Sequence, residues 1–315
     1  MKINVEKCAQ LLKKQDDILI LTHAHPDGDT LGSGFALCRA LIKMGKRAKL
    51  RCADEIPEKY SYLYEDMPQL DFEEKFIIAV DVATQNLLGD LCDKYGDKID
   101  LCIDHHSTNS EFADKLLLNA DSAAACEIIL KVITALGVEI DRGIASCLFT
   151  GITTDTGCFR YASTTSNTFR AAAELIDFGA DNGRINRAMF ETKTKTYAAL
   201  ERLALEGMQF YGSERICVIT ITQDMYKATG SSEAETEAIA PLTRQIEGVE
   251  IGLTLREKPD KTCKCSIRTF ESVDASVIAK KFGGGGHKQA AACRFDCGVK
   301  EAKKLLIEAS EKMLK

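Results

Sequence analysis

Apolar and polar positions along the chain fall into runs that switch between a strand period and a helix period. Ile18 to Leu21 is a short apolar run bounded by charge and predicts a buried strand. Thr30 to Gly34 reads as a helix start, and Phe35 to Met44 continues it as an amphipathic helix. Arg47 to Ala53 predicts a second strand, followed by a less regular region around Pro57 and Pro68. Phe76 to Val80 is almost continuously apolar, as expected for a strand buried on both faces. Ile99 to Ile103 predicts another strand. Helical patterns cover residues 123–136, with Gly137 as the stop, then Arg142 to Thr153, 166–178 and 181–190. Strands alternating with helices predict a parallel sheet with one functional edge.

The pattern changes after a polar, helical stretch at 191–209, which reads as a connector. Ile216 to Thr222, Val249 to Arg256 and Cys263 to Thr269 predict strands with helical stretches between them. A glycine run from Phe282 to His287, a strand near 290–295 and a helix at 299–314 follow. The expected organisation is an α/β domain at 1–190 with flanking helices and a smaller α+β domain at 210–315, a typical domain size.

Composition adds limits. The chain has 315 residues, 45% hydrophobic and 28% charged, ordinary for globular material. No stretch of about 18 apolar residues exists, so no membrane partner is expected. The charged start, Met1 to Lys7, gives no sign of a leader peptide. Thirteen cysteines are scattered without a Cys-x-x-Cys pair, which predicts reduced thiols in a cytoplasmic protein. Charge is uneven: residues 1–209 carry 24 Lys and Arg against 32 Asp and Glu. Residues 261–294 carry seven against two, a locally basic segment that fits an anion-binding surface.

Chemistry gathers at the predicted strand ends. His23, Asp27 and Asp29 follow the first strand, Asp81 follows Val80, Asp104, His105 and His106 follow Ile103, and Asp155 follows a helix. Imidazole and carboxylate hold divalent metals, and carboxylate suits the harder ions. An Asp-Gly pair alone merely turns a chain, but four separated segments share one composition. Two divalent ions about 3.5–4 Å apart, clamping a displacement at phosphorus, need about this many ligands. Without metal, four clustered carboxylates would repel one another.

The pattern His23-x-x-x-Asp27-x-Asp29, the lone Asp81, Asp104-His105-His106 and Thr154-Asp155-Thr156-Gly157 resembles the four motifs of the DHH phosphoesterase superfamily. Phe282 to Ala292, with Gly284-Gly285-Gly286-His287, resembles the signature of the DHHA1 domain that follows it. Spacing and length are similar to the bacterial nanoRNase / oligoribonuclease A subgroup, whose members degrade very short RNAs and often dephosphorylate 3′-phosphoadenosine 5′-phosphate (pAp). The resemblance implies one ion on His23, Asp27 and Asp81, and a second on Asp29, Asp81, His105 and Asp155, with Asp81 bridging. It implies His106 facing the substrate phosphate, Asp104 orienting the histidines, and Mn²⁺ as the ion, with Mg²⁺ or Co²⁺ as alternatives. His25 falls at a variable position and reads as a bystander.

A glycine-rich backbone can approach a ligand closely and aim N–H groups at phosphate oxygens. The resemblance implies that Gly284, Gly285, Gly286, His287 and Arg268 hold the nucleotide. Overall acidity argues against a track for long duplex nucleic acid. The expected function is a two-metal phosphodiesterase cutting short RNA oligonucleotides to mononucleotides and acting on mononucleotide bisphosphates, and a homodimer is an assembly it allows. The alternatives are a cyclic or linear dinucleotide phosphodiesterase and, from another class, a non-catalytic nucleotide sensor.

Overall fold

A computed structural model describes residues 1–270 and 272–314; the side chains of Ala234, Glu237 and His287 lie outside what it describes. The chain divides into two compact units, Met1–Thr192 and Lys193–Lys315.

The first unit runs α1 (Val5–Lys13), β1 (Ile18–Leu21), α2 (Gly28–Lys43), β2 (Ala48–Arg51), β3 (Phe76–Val80), the single turn α3 (Cys92–Tyr95), β4 (Leu101–Asp104) and β5 (Lys115–Leu118), then α4 (Ala125–Leu136), α5 (Arg142–Asp155), α6 (Ser166–Asp177) and α7 (Asn182–Asn186). The strands form one parallel sheet in the order β2-β1-β3-β4-β5. β1 therefore lies at the point where the winding reverses, between β2 on one side and β3 on the other. In such sheets ligands bind beyond the carboxyl ends of the strands at this reversal.

Side chains alternate across the sheet. Ile18, Ile20, Ile78, Val80, Leu101 and Ile103 face a core built with α1, α2, α4 and α5. Leu19, Leu21, Ile77, Ala79 and Cys102 face a second core with Val82, Leu88, Tyr95 and Ile99. Most of these side chains are fully buried, each contributing roughly 1.5–3 kcal/mol of transfer free energy for the larger aliphatics. The double burial explains the unbroken apolar runs.

The second unit runs α8 (Lys195–Glu206), β6 (Gln209–Tyr211), β7 (Ile216–Ile221), α9 (Gln223–Thr229), a 3-10 segment (Glu233–Gln245), β8 (Ile251–Glu257), β9 (Cys263–Thr269), α10 (Ala275–Lys280), β10 (Gly285–His287), β11 (Ala290–Phe295) and α11 (Val299–Glu311). Its mixed sheet has the order β10-β11-β9-β8-β7-β6, with only β7 and β8 parallel. The helical stretch at 191–209 supplies α8, whose Tyr197, Leu200 and Ala204 pack with Ile219, Ile221 and Ile239 of this unit.

The glycine run differs from the open loop its composition suggests. Gly285 to His287 form a strand paired antiparallel with Ala290 to Ala292. Two of the glycines, Gly284 and Gly286, have no room for a side chain. A Cβ on Gly284 would lie 2.1 Å from the Ala292 carbonyl oxygen, and Gly286, at φ 142°, would press a Cβ to 2.5 Å from Ala291 Cα. Gly285 meets nothing within 4 Å.

Candidate metal centre

The candidate ligands of the first unit converge at the winding reversal. β1 delivers the segment leading to His23 and Asp27, and Asp27 starts α2. Its Oδ1 accepts the N–H groups of Asp29 and Thr30 at 3.0 and 3.1 Å, satisfying donors that a helix start leaves free. Thr30 ties this turn to the next strand. Its hydroxyl donates to the Val80 carbonyl (3.2 Å) and accepts from the His23 N–H (3.4 Å).

Asp81 follows β3 with φ 57°, a left-handed conformation that aspartate tolerates better than most residues. Its backbone N–H donates to the Ile103 carbonyl (2.9 Å), and its side chain is buried.

Asp29 is 1% exposed and sits against the start of α4. One carboxylate oxygen accepts the Ala125 N–H at 2.6 Å and the other the Cys126 N–H at 3.0 Å. The positive end of α4 thus faces this carboxylate. Asp155 ends α5, which starts on Asp141 capping the Ile144 N–H.

Both candidate histidine ligands are locked with Nε2 inward. The His23 Nδ1–H donates to the Ala24 carbonyl at 2.8 Å, and the His105 Nδ1–H to the Ser122 carbonyl at 3.1 Å. That arrangement is how backbone carbonyls fix metal-binding imidazoles. His23 Nε2 then faces Asp27 Oδ1 and Asp81 Oδ2, both at 3.6 Å. His105 Nε2 faces Asp81 Oδ1 and Asp155 Oδ2 at 3.4 Å and Asp29 Oδ2 at 3.8 Å. Asp81 directs one oxygen to each imidazole. Three groupings bring ligand atoms within 4.8 Å of one another: His23-Asp27-Asp81, Asp29-His105-Asp155 and Asp81-His105-His106.

His106 differs from the other two. Its Nδ1–H donates to Asp104 Oδ1 at 2.8 Å, so that nitrogen is spent. Asp104 is fully buried. The same Oδ1 accepts the backbone N–H groups of His105 and His106, and Oδ2 accepts from Asn109 at 2.7 Å. The carboxylate thus ties the backbone of both histidines and the His106 ring together, and it is in none of the three groupings among the described residues. Sequence reasoning did not reach Asn109, Thr30 or the backbone donors on Asp29. His25 joins none of these groupings; its side chain is exposed and bonded to Asp54 at 2.8 Å.

Proton affinities show the strain of this crowd. Burial would lower His23, but Asp27 and Asp81 override it and push it up to about 11. Burial likewise opposes, and Asp81, Asp29 and Asp155 enforce, a rise of His105 to about 10. Burial and then Asp81 push Asp29 up to about 7; burial, Asp29 and Asp81 push Asp155 up to about 8. Burial favours protonating Asp81, yet the His105 and His23 rings hold it well below the usual carboxylate range. The Asp104 contact, against burial, raises His106.

The residues fit divalent metal. Among the described residues, buried Asp81 Oδ1 has no hydrogen-bond partner. The imidazole and carboxylate atoms face one another across 3.4–3.8 Å, wider than the separation of a charge-assisted hydrogen bond. Cations between them would neutralise four carboxylates. The donor set of oxygen and imidazole nitrogen, without thiolate, suits harder ions.

In the second unit, Arg268 is half-buried on β9 and donates to the Ile267 carbonyl at 3.2 Å. His287 pairs through its backbone with Ala290, and its side chain lies outside the described atoms.

A parallel sheet with paired imidazole–carboxylate groupings at its winding reversal defines a two-metal-dependent hydrolase. The DHH family, N-terminal domain model matches residues 17–152, and the DHHA1 domain model matches residues 214–315. The chain belongs to the DHH/DHHA1 phosphoesterase family, in its NrnA-type branch. It is 32% identical over 290 residues to the bifunctional oligoribonuclease and PAP phosphatase NrnA of Thermus thermophilus, covering 90% of this chain and 86% of that protein. It is 25% identical over 281 residues to the Bacillus subtilis protein of the same description, covering 86% and 87%. An exopolyphosphatase-related protein from Bacteroides fragilis shares the fold, with a TM-score of 0.91 over 98% of this chain and 95% of that one at 23% identity. Among the described residues, no helix is long and apolar enough to cross a membrane.

Proposed function

We propose that the chain is a cytoplasmic, Mn²⁺-dependent phosphoesterase that cuts short oligoribonucleotides to mononucleotides and removes phosphate from pAp. The observation that carries this reading is Asp81, whose two oxygens are split between His23 and His105. One ion is assigned to His23, Asp27 and Asp81, and the other to Asp29, Asp81, His105 and Asp155. Bound there, such ions supply Lewis acidity, lowering the pKa of an attacking water and offsetting charge on the phosphoryl oxygens.

In the first unit, the chain's own residues add a phosphate contact. Asp104 holds the His106 ring through Nδ1 and favours its protonated form, in which Nε2–H donates to a phosphoryl oxygen. Arg268, His287 and the Gly284–Gly286 backbone are the proposed nucleotide contacts. Gly285 supports this: among the described residues no neighbour accounts for its missing side chain, whereas a close-lying ligand would.

The test is parallel assay of the purified protein with Mn²⁺ on pApA, pAp, cyclic di-AMP and pyrophosphate. Hydrolysis of pApA and pAp is expected. Turnover confined to cyclic di-AMP or pyrophosphate would overturn the substrate assignment, and no turnover on any of the four would favour the non-catalytic sensor.

A further inference from the structure

The register of the second sheet lines up three cations that the proposed nucleotide contacts leave unused. Arg256 on β8 lies directly opposite Lys264 on β9, and Lys264 directly opposite Arg294 on β11. Directly opposed residues share a face with Cβ atoms about 5 Å apart, and like charges so placed destabilise a sheet. The protein does little to relieve them. Arg256 is 5% exposed and donates to two hydroxyls, Thr236 Oγ1 at 3.2 Å and Ser266 Oγ at 2.8 Å. Its Nε has no partner, and among the described residues it meets no carboxylate within ion-pair distance.

Lys264 likewise has no ion-pair partner among the described residues. Among the described residues, Arg294 pairs with Asp260, at 3.4 Å on the exposed surface, where such a pair contributes little. The neighbouring carboxylate, Glu233, is already ion-paired with Lys258. It feels the row nonetheless: Lys258, against some burial, and then Arg256 and Lys264 hold its carboxyl below the ordinary value. A buried, uncompensated guanidinium is costly unless something else neutralises it. An anion arriving from outside would do so.

The same register places this row relative to Arg268. Lys264 and Arg268 are four residues apart on β9, about 13 Å at strand spacing, and on the same face. Between them on that face stand Ser266 and its partner Ala292, both small. The 3-10 segment covers the β8 side, where Thr236 meets Arg256. Lys264 is half-buried and Arg294 exposed.

We propose that Lys264 and Arg294, backed by buried Arg256, form a phosphate subsite for the backbone of an oligonucleotide extending beyond the nucleotide at Arg268. This rests on the proposed function and deepens it. pAp carries both phosphates on one ribose, too short to span about 13 Å. A chain of several nucleotides spans it, so the row distinguishes RNA oligonucleotides from the mononucleotide substrate of the same catalytic centre.

The test uses the full-length chain with Mn²⁺. Binding of a fluorescent, hydrolysis-resistant phosphorothioate pentaribonucleotide is followed by anisotropy across a salt series, and pAp turnover is measured alongside. For Lys264→Gln/Arg294→Gln, affinity for the pentanucleotide should fall about tenfold. The slope of log affinity against log salt should shrink by about 1.4, two single-strand phosphate contacts at about 0.7 each. kcat/KM on pAp should stay within twofold, and the melting temperature of both proteins verifies folding. Unchanged pentanucleotide binding and slope, or an equal loss on pAp, would overturn the subsite. Equal competition by inorganic tripolyphosphate would overturn its assignment to a nucleotide backbone. A wild-type chain that hydrolyses no nucleotide would instead sink the proposed function, so the two failures read differently.

Discussion

Gly151 offers a demanding test of how the metal centre is held. It lies on α5 where that helix passes Asp29 and the start of α4. A Cβ at this position would fall 2.2 Å from Cys126 Sγ, 2.6 Å from Asp29 Oδ1 and 3.0 Å from Asp29 Cα. Comfortable contact begins near ~3.5 Å, so Asp29 must retreat by roughly 1 Å. It cannot retreat alone, because its carboxylate is bonded to the Ala125 and Cys126 N–H groups.

For Gly151→Ala, the extra methyl in a packed interior should cost about 1–3 kcal/mol. At about 2–4 °C per kcal/mol for a unit of this size, melting should drop by roughly 2–12 °C. Active centres tolerate only about 0.5 Å of misplacement, and a ~1 Å error costs about 10²-fold in turnover. The assay is thermal denaturation in chelator together with pApA hydrolysis in Mn²⁺. Adding Cys126→Ala removes the closest clash but not those with Asp29. The double variant should therefore regain stability without regaining turnover. Turnover of the single variant within twofold of wild type would refute the reasoning.

Three further predictions follow from the same geometry. Asp81→Asn should bind metal poorly and lose at least about 10³-fold in turnover while folding normally, since asparagine tolerates its positive φ; calorimetric titration with Mn²⁺ and pApA hydrolysis check this, and near-wild-type activity would end the bridging assignment. Metal binding should release protons, because His23, His105, Asp155 and Asp29 have raised proton affinities in the metal-free centre and must give those protons up to bind a cation. Affinity should accordingly strengthen as pH rises from 6 to 9 and weaken as it falls. Calorimetry in buffers of different ionisation enthalpy measures the release, and a pH-independent affinity would contradict it. In the glycine strand, Gly284→Ala should destabilise the second unit, its Cβ meeting the Ala292 carbonyl oxygen. Gly285→Ala should leave melting unchanged and raise KM for pApA, a separation that kinetics and denaturation of the two variants resolve.

Sequence reading went furthest where one local signal sufficed. The runs Ile18–Leu21 and Phe76–Val80 match β1 and β3 residue for residue, because strands buried on both faces have no polar interruptions. Strand ends carrying Asp and His could be read as well, since the parallel sheet puts all carboxyl ends at one edge. Lys115–Leu118 went unread because a four-residue edge strand resembles a loop, and Gln209–Tyr211 is shorter still. Gly285–His287 hid its strand because glycine has little strand preference. The partners of Asp29 lie some 96 residues along the chain and donate through backbone atoms. No side-chain identity announces such a bond. The cationic row was likewise invisible as charge counts alone, since only the pairing of β8, β9 and β11 makes neighbours of Arg256, Lys264 and Arg294.

The bond between Asp29 and the first turn of α4 makes occupancy of the centre audible in the backbone. Each Asp29 oxygen has two lone pairs, and one on each is committed to an amide of Ala125 or Cys126. A cation drawing electron density from that carboxylate weakens what those two amides receive. Their nitrogen and proton chemical shifts should move on loading with diamagnetic Mg²⁺, while those of amides further along α4 stay nearly still. Two buried N–H groups that touch neither metal nor substrate then act as a resident spectroscopic gauge. A titration could follow filling of this centre without turnover, labels or any change to the site.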